Sequence, residues 1–287
     1  MEEKEFKTIN EQLKILKSRG LIIEDESIAK EFLLYNNYYR ISGYSLTLRK
    51  NDIFYESTTF QNIIDIYNFD HEFRHIILKY IEKIEVKFKS IYAYEFAKLY
   101  GSTGYLDKSN FTNEEKYQKI ITKSNDLKNK LINEEKYIKH FEDKNMPLWA
   151  YIDLFTISDI SNLYSISLKE IKKNVVDCFK SYKTSQILGK HVHSMTIIRN
   201  LCAHGRRIYN RIFHQKPSLN KEEKKLLIQK DNKIIDNKFY GFIIIMKKLL
   251  SEFDFQSMKH SIIELTEKYP FVKMSYYGFR EDWIEKL

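Results

Sequence analysis

Apolar residues recur three and four positions apart along almost the whole chain, the spacing that gives an α-helix one buried face. Phe6, Ile9, Leu13 and Leu16 mark a first short helix, which Arg19-Gly20 closes. Ile28, Phe32 and Leu33 resume the period in a second, so residues 5–50 read as two short helices and a turn. Thr58 or Thr59 then caps a long helix from Phe60 to Leu99, with Ile63, Tyr67, Phe73, Ile77, Ile81, Ile84, Phe88 and Ile91 as its stripe. Gly101-Ser102-Thr103-Gly104 breaks the pattern.

Beyond that break, Thr112 and Glu115 have capping-box spacing and open a charged helical stretch reaching Asp143. Pro147 starts a buried helix that carries Trp149, Ile152, Phe155, Ile160 and Leu163. A second capping box, Ser167 to Glu170, opens a helix reaching Tyr182, and another helix begins near Thr184. Gly205 is placed to end it. Past the Pro217-Ser218 loop, two final helices cover 220–253 and 256–268. The expected fold class is all-α.

Composition supports this. Only 8 Gly and 3 Pro in 287 residues leave little material for a turn-rich β architecture, and 43% hydrophobic residues exclude a disordered chain. The net charge of +9 is permissive for a polyanion partner, although an AT-rich genome would also enrich Lys. Two cysteines, Cys178 and Cys202, exclude a disulfide framework and suit the cytoplasm. The N-terminus has no signal-peptide pattern, and the longest apolar run, near Phe239–Met246, is too short to span a bilayer.

The chemistry concentrates in residues 197–211, where four arginines, one histidine and two asparagines follow an apolar helical run. On a helix Asn200 and His204 share a face one turn apart, and the long side chain of Arg199 reaches the same patch. Imidazole moves protons near neutral pH and guanidinium holds phosphate oxygens, so the patch suits attack on a phosphodiester. Arg206, Arg207, Asn210 and Arg211 add candidate RNA contacts. A second candidate surface is Tyr38, Tyr39 and Arg40, which with Tyr44 sets three aromatics around one arginine, a platform for unpaired bases. The competing reading packs these tyrosines on the core and pairs Arg40 with an acid. On the long helix, Asp70 and Arg74 form an i,i+4 pair, and Glu82 and Glu85 lie beside the apolar stripe.

Arg199-Asn200-x-Cys202-Ala203-His204-x-x-Arg207-x-x-Asn210-Arg211 resembles the signature of bacterial abortive-infection proteins of the AbiD/AbiF type. Those form a branch of the HEPN ribonucleases, to which the nucleases of type VI CRISPR systems are thought to be related. The resemblance extends to Arg19-Gly20-Leu21 with Asn36–Tyr44, to the acidic pair in Ile81–Glu85, to Met146–Trp149, and to the tail from Tyr269-Pro270 to Gly278–Trp283. Two departures are Gly205, where the family often has a second His, and Arg280, where Pro is usual.

This resemblance implies a HEPN-like helical bundle. Residues 1–55 would be an N-terminal helical extension and 56–287 the helical domain with a C-terminal cap; one continuous globular unit is the other reading. It implies a metal-independent endoribonuclease of phage defence that needs no cofactor, with Arg199, Asn200 and His204 catalytic and Glu82 or Glu85 orienting the motif arginine. The partners implied are substrate RNA, a bound small non-coding RNA and a second copy of the chain, with no membrane. A homodimer follows because one motif supplies one imidazole, whereas cleavage calls for a base and an acid. The alternatives are a non-catalytic RNA-binding or dimerising module, and a toxin silenced by a neighbouring RNA or protein.

Metal sites are poorly supported. His191 and His193, like Cys202 and His204, are two apart and point away from each other on a helix, while His71 and His75 have usable spacing but no third ligand.

Overall fold

The structure, a computed structural model, describes residues 5–287. It is 64% helical, and two small hairpins are the only sheets among the described residues, so the all-α expectation holds.

Helix α1 (Ile9–Ser18) starts on a reciprocal capping box in which the Thr8 amide donates to Glu11 Oε2 at 2.7 Å. That cap leaves Phe6 outside the helix and in solvent, not on the apolar stripe. Asp25 caps α2 (Glu26–Asn36), and Asn37, at φ 63°, turns the chain sharply into α3 (Tyr38–Ser42). A hairpin of β1 (Arg49–Lys50) and β2 (Ile53–Phe54) leads to the Thr59–Asn62 capping box of α4 (Phe60–Tyr100). With 41 residues, α4 is about 60 Å long and forms the axis of the molecule. Gly101 ends it at φ 78°, a left-handed conformation that costs glycine little.

In the middle of the chain tertiary contacts change several helix ends. Asn113, not Thr112, caps α5 (Glu114–Leu131), because the Thr112 hydroxyl donates to the Ile166 carbonyl. The helix stops well short of Asp143, and the short α6 (Lys136–Lys139) follows. The helix expected after Pro147 breaks into α7 (Leu148–Tyr151), a 3-10 turn and α8 (Ile157–Ile166), which restarts on a Thr156–Asp159 capping box. Trp149 is consequently 59% exposed, while Ile152, Phe155, Ile160 and Leu163 are buried as expected. Ser167 does not cap α9 (Lys169–Asp177); its hydroxyl donates to the Leu163 carbonyl and accepts from Tyr92.

Helix α10 (Ser185–Ala203) carries the polar motif. The single helix expected over 220–253 is instead α11 (Lys221–Lys224), a hairpin of β3 (Gln229–Lys230) and β4 (Lys233–Ile234), and α12 (Tyr240–Leu249). Asp231 and Asn232 both take positive φ, which makes the two-residue turn of that hairpin. Helices α13 (Glu252–Lys268) and α14 (Trp283–Lys286) complete the chain.

Helices α10, α13 and α9 pack against α4, and α8 packs on α10. Buried apolar side chains from Leu13 to Leu287 form one connected cluster, so the N-terminal helices share the core of the rest. No helix among the described residues is long and apolar enough to cross a membrane.

Candidate active site

Leu188, Val192, Met195, Ile198, Leu201 and Cys202 seat α10 in the core, and this fixes which residues face out: Arg199, Asn200, Ala203 and His204 are exposed. Arg199 Nη1 donates to Asn200 Oδ1 at 3.3 Å, so the two side chains meet as the spacing suggested. The His204 ring makes no hydrogen bond within the described residues, which leaves both nitrogens available to an incoming group.

His204 is the C-cap of α10, and the termination is a Schellman turn. The Gly205 amide donates to the Cys202 carbonyl at 2.9 Å and the Arg206 amide to the Leu201 carbonyl at 3.0 Å. Gly205 takes φ 61° there. A side chain at this position is strained by its own backbone, so Gly205→Ala is expected to lower stability by about 1 kcal/mol. Urea denaturation measures the change, and an unaltered midpoint would contradict it.

The segment after the turn is anchored by a carboxylate 138 residues away. Asp70, fully buried on α4, accepts from the Ile208 amide at 3.2 Å and the Tyr209 amide at 2.8 Å. It also accepts from Tyr44 Oη (2.8 Å), from Tyr277 Oη (3.0 Å) and from the equally buried Arg74. One carboxylate thus ties together the N-terminal unit, the axial helix, the motif loop and the C-terminal cap. Burial and the adjacent Asp70 charge hold the Tyr44 phenol far above its usual pKa, so it stays a donor.

The carboxylate at the motif is Asp70, and it holds the backbone amides of Ile208 and Tyr209, not a motif arginine; neither Glu82 nor Glu85 hydrogen-bonds a motif arginine among the described residues. Glu85 is instead paired with Lys89 at 2.7 Å, and Glu82 faces solvent. Glu82 lies twelve residues past Asp70, about 18 Å further along a straight helix. The sequence showed Asp70 and Arg74 as a pair, but nothing in it marked the pair as the motif's anchor.

The Tyr38–Arg40 segment divides between the two readings offered for it. Tyr44 is buried against Asp70 and is no part of a platform. Tyr38 is half-buried and accepts from Arg19 at 3.5 Å, whereas Tyr39 is 80% exposed. Among the described residues Arg40 pairs with no acid: it lies over the Tyr67 ring and donates to the Gly205 carbonyl at 2.6 Å, bracing the motif turn.

A family model described as Abi-like protein matches residues 31–210, more than half the chain, from α2 through Arg40, Asp70 and the whole motif to Asn210. The chain belongs to that family. No curated protein and no solved structure matches it.

In this Abi-like protein Arg206 is exposed, and Arg207 is half-buried over the Tyr44 ring with Nη1 donating to the Tyr209 carbonyl at 2.7 Å. Asn210 takes positive φ and accepts from Lys238 at 2.7 Å; Arg211 lies over Phe213. No carboxylate pairs with Arg40, Arg199, Arg206, Arg207, Arg211 or Lys238 among the described residues. Lys238 escaped the sequence reading because it lies 27 residues past the motif. Cys202 is buried, and burial pushes its thiol up to about 12, so it is an inert packing residue.

The remaining histidines are occupied or solvated. His191 Nε2 faces the Ser218 carbonyl at 2.7 Å and must donate to it, so Nδ1 accepts from Tyr182 Oη at 2.8 Å. Burial lowers its pKa and keeps it neutral. His193 is exposed, and the His71 and His75 rings sit 4.4 Å apart on the outside of α4.

Proposed function

We propose that this Abi-like protein is an endoribonuclease of an abortive-infection phage-defence system that cuts RNA by 2′-hydroxyl attack without a metal ion. Family membership supports the defence role. The observation that carries the activity is the shared solvent face of Arg199, Asn200 and His204 at the braced end of α10, with the imidazole uncommitted.

In this reading His204 removes the 2′-hydroxyl proton or delivers one to the leaving 5′-oxygen. Arg199 stabilises the charge that develops on the phosphorane, and Asn200, hydrogen-bonded to Arg199, sets its direction. The 2′-oxygen–phosphorus bond forms as the phosphorus–5′-oxygen bond breaks, leaving a 2′,3′-cyclic phosphate and a 5′-hydroxyl. DNA, which lacks the attacking hydroxyl, is bound but not cut. Arg206, Arg207 and Arg211 supply charge for the RNA backbone, and Arg40 acts through the Gly205 carbonyl it holds.

Labelled RNA incubated with the protein in chelator tests this. Cyclic-phosphate ends are the expected product. Binding with no cleavage of any RNA, including cellular RNA from infected cells, would instead favour a non-catalytic module. A nuclease of this kind must be kept silent, and a bound small RNA or a neighbouring protein is the proposed restraint. RNA copurifying with a His204→Ala chain would identify the former.

The working form is a homodimer. One motif offers one imidazole, whereas base and acid stand on opposite sides of the phosphate; two motifs across a two-fold axis supply both. Exposure of Arg199, Asn200, Ala203 and His204 on one open face leaves room for that second copy. Mixing His204→Ala chains with wild type should depress activity faster than the wild-type fraction falls. A strictly proportional fall would show that each chain works alone.

A further inference from the structure

Four basic side chains, Arg206, Arg207, Arg211 and Lys238, gather at the end of the motif with no carboxylate of the described residues paired to them. Arg207 and Arg211 come from the motif loop, and Lys238 comes from the turn before α12, brought in across 27 residues of sequence. Lys238 Nζ is held on Asn210 Oδ1 at 2.7 Å, and its stem lies against Gly278, where any side chain would collide with the lysine Cβ. Arg207 is fixed by its bond to the Tyr209 carbonyl and by close approach of its Nε to Gly43. Arg211 is half-buried beside Arg206 and Arg207, with its guanidinium over Phe213.

Like charges held together and partly withdrawn from water repel one another and lose hydration, so the arrangement costs stability. Burial and the neighbouring arginines lower the pKa of Arg211, and burial with Arg207 lowers that of Lys238, both of which register this cost. Elsewhere in the chain Lys216 and the mostly buried Lys248 each sit beside an acid, Asp236 and Glu223. Here the described residues supply none. An incoming oxyanion is the missing counter-charge.

We propose that Arg207, Arg211 and Lys238 form a second phosphate subsite, built on the loop that follows Arg199 and His204 in the chain, that holds a neighbouring backbone phosphate of the bound RNA. The inference deepens the ribonuclease reading by adding Lys238 and by separating the phosphate that is held from the phosphate that is cut. Because the subsite reads phosphate and not sugar, it binds single-stranded DNA as well as RNA.

The test uses the full chain and an uncleavable single-stranded oligodeoxynucleotide, with affinity followed against salt. Lys238→Met should weaken binding about 5–10-fold and reduce the slope of log affinity against log salt by about 0.7, one phosphate contact on a single strand. Lys238→Arg should restore both, and Lys119→Met, an exposed α5 lysine paired with Glu115, should change neither. Melting in anion-poor buffer gives a second readout. Lys238→Met should melt no lower than wild type, since it relieves repulsion, and inorganic phosphate should raise its melting temperature less than it raises wild type's.

A variant that melts lower yet keeps the wild-type salt slope would make Lys238 a structural prop and overturn the proposal. So would an unchanged slope in a fully stable variant. The readout needs no cleavage. A chain that binds through Lys238 and never cuts sinks the ribonuclease alone, and one that cuts while Lys238→Met binds normally sinks the subsite alone.

Discussion

His204→Ala is expected to slow RNA cleavage by about 10²–10⁴-fold, the range lost when a proton-transfer group is removed. Arg199→Ala should cost about 10²–10³-fold, as loss of one group aimed at developing charge does elsewhere. Neither change should lower the melting temperature. His204 contributes to the end of α10 through its backbone amide, which donates to the Asn200 carbonyl at 3.0 Å and is retained by alanine. Arg199 is exposed and its hydrogen bond goes to the equally exposed Asn200, so little packing is lost. Single-turnover cleavage in chelator alongside thermal melts separates the two effects. A His204→Ala chain that cuts at the wild-type rate would remove the imidazole from the mechanism.

The opposite signature is expected at Asp70. Asp70→Ala leaves the buried Arg74 guanidinium without its counter-charge, a loss of about 3–5 kcal/mol. It also strands the amides of Ile208 and Tyr209 and the phenols of Tyr44 and Tyr277, each about 1–3 kcal/mol when left unpaired. These terms are not additive, but together they approach the whole stability of a typical domain. The variant should therefore be largely unfolded or insoluble. Asp70→Asn keeps the shape and one acceptor oxygen, so it should fold with reduced stability and a loosened motif loop. Urea denaturation reads the stability, and amide exchange at Ile208 and Tyr209 reads the loop. Wild-type stability of Asp70→Ala would mean that the carboxylate does not organise the site.

The local alphabet of this chain is strong enough to read from sequence where a signal is repeated many times. The α4 stripe sums apolar positions over 41 residues, so its existence and its Thr59 cap do not depend on any one neighbour. The exposed polar patch is equally legible, because Arg199, Asn200 and His204 lie within two turns of one helix and helical geometry alone puts them together. Gly205 as the terminator follows from its freedom at positive φ.

Where a residue had two partners available, tertiary structure chose. Thr112 and Ser167 both fit a capping box, yet their hydroxyls go to the carbonyls of Ile166 and Leu163, and the caps shift or vanish. Tyr44 and Tyr39 look interchangeable in the string, but one is fully buried on Asp70 and the other is open to water. Glu82 and Glu85 border the apolar stripe, so the sequence points to them as the acids that anchor the motif. Asp70 does so instead, since α10 packs on α4 and the loop that follows it reaches the turn carrying Asp70. Lys238 reaches Asn210 for the same reason. Sequence spacing fixes neighbours within a helix, whereas contacts between residues 28 or 138 apart depend on how helices cross, and only burial of the shared core decides that.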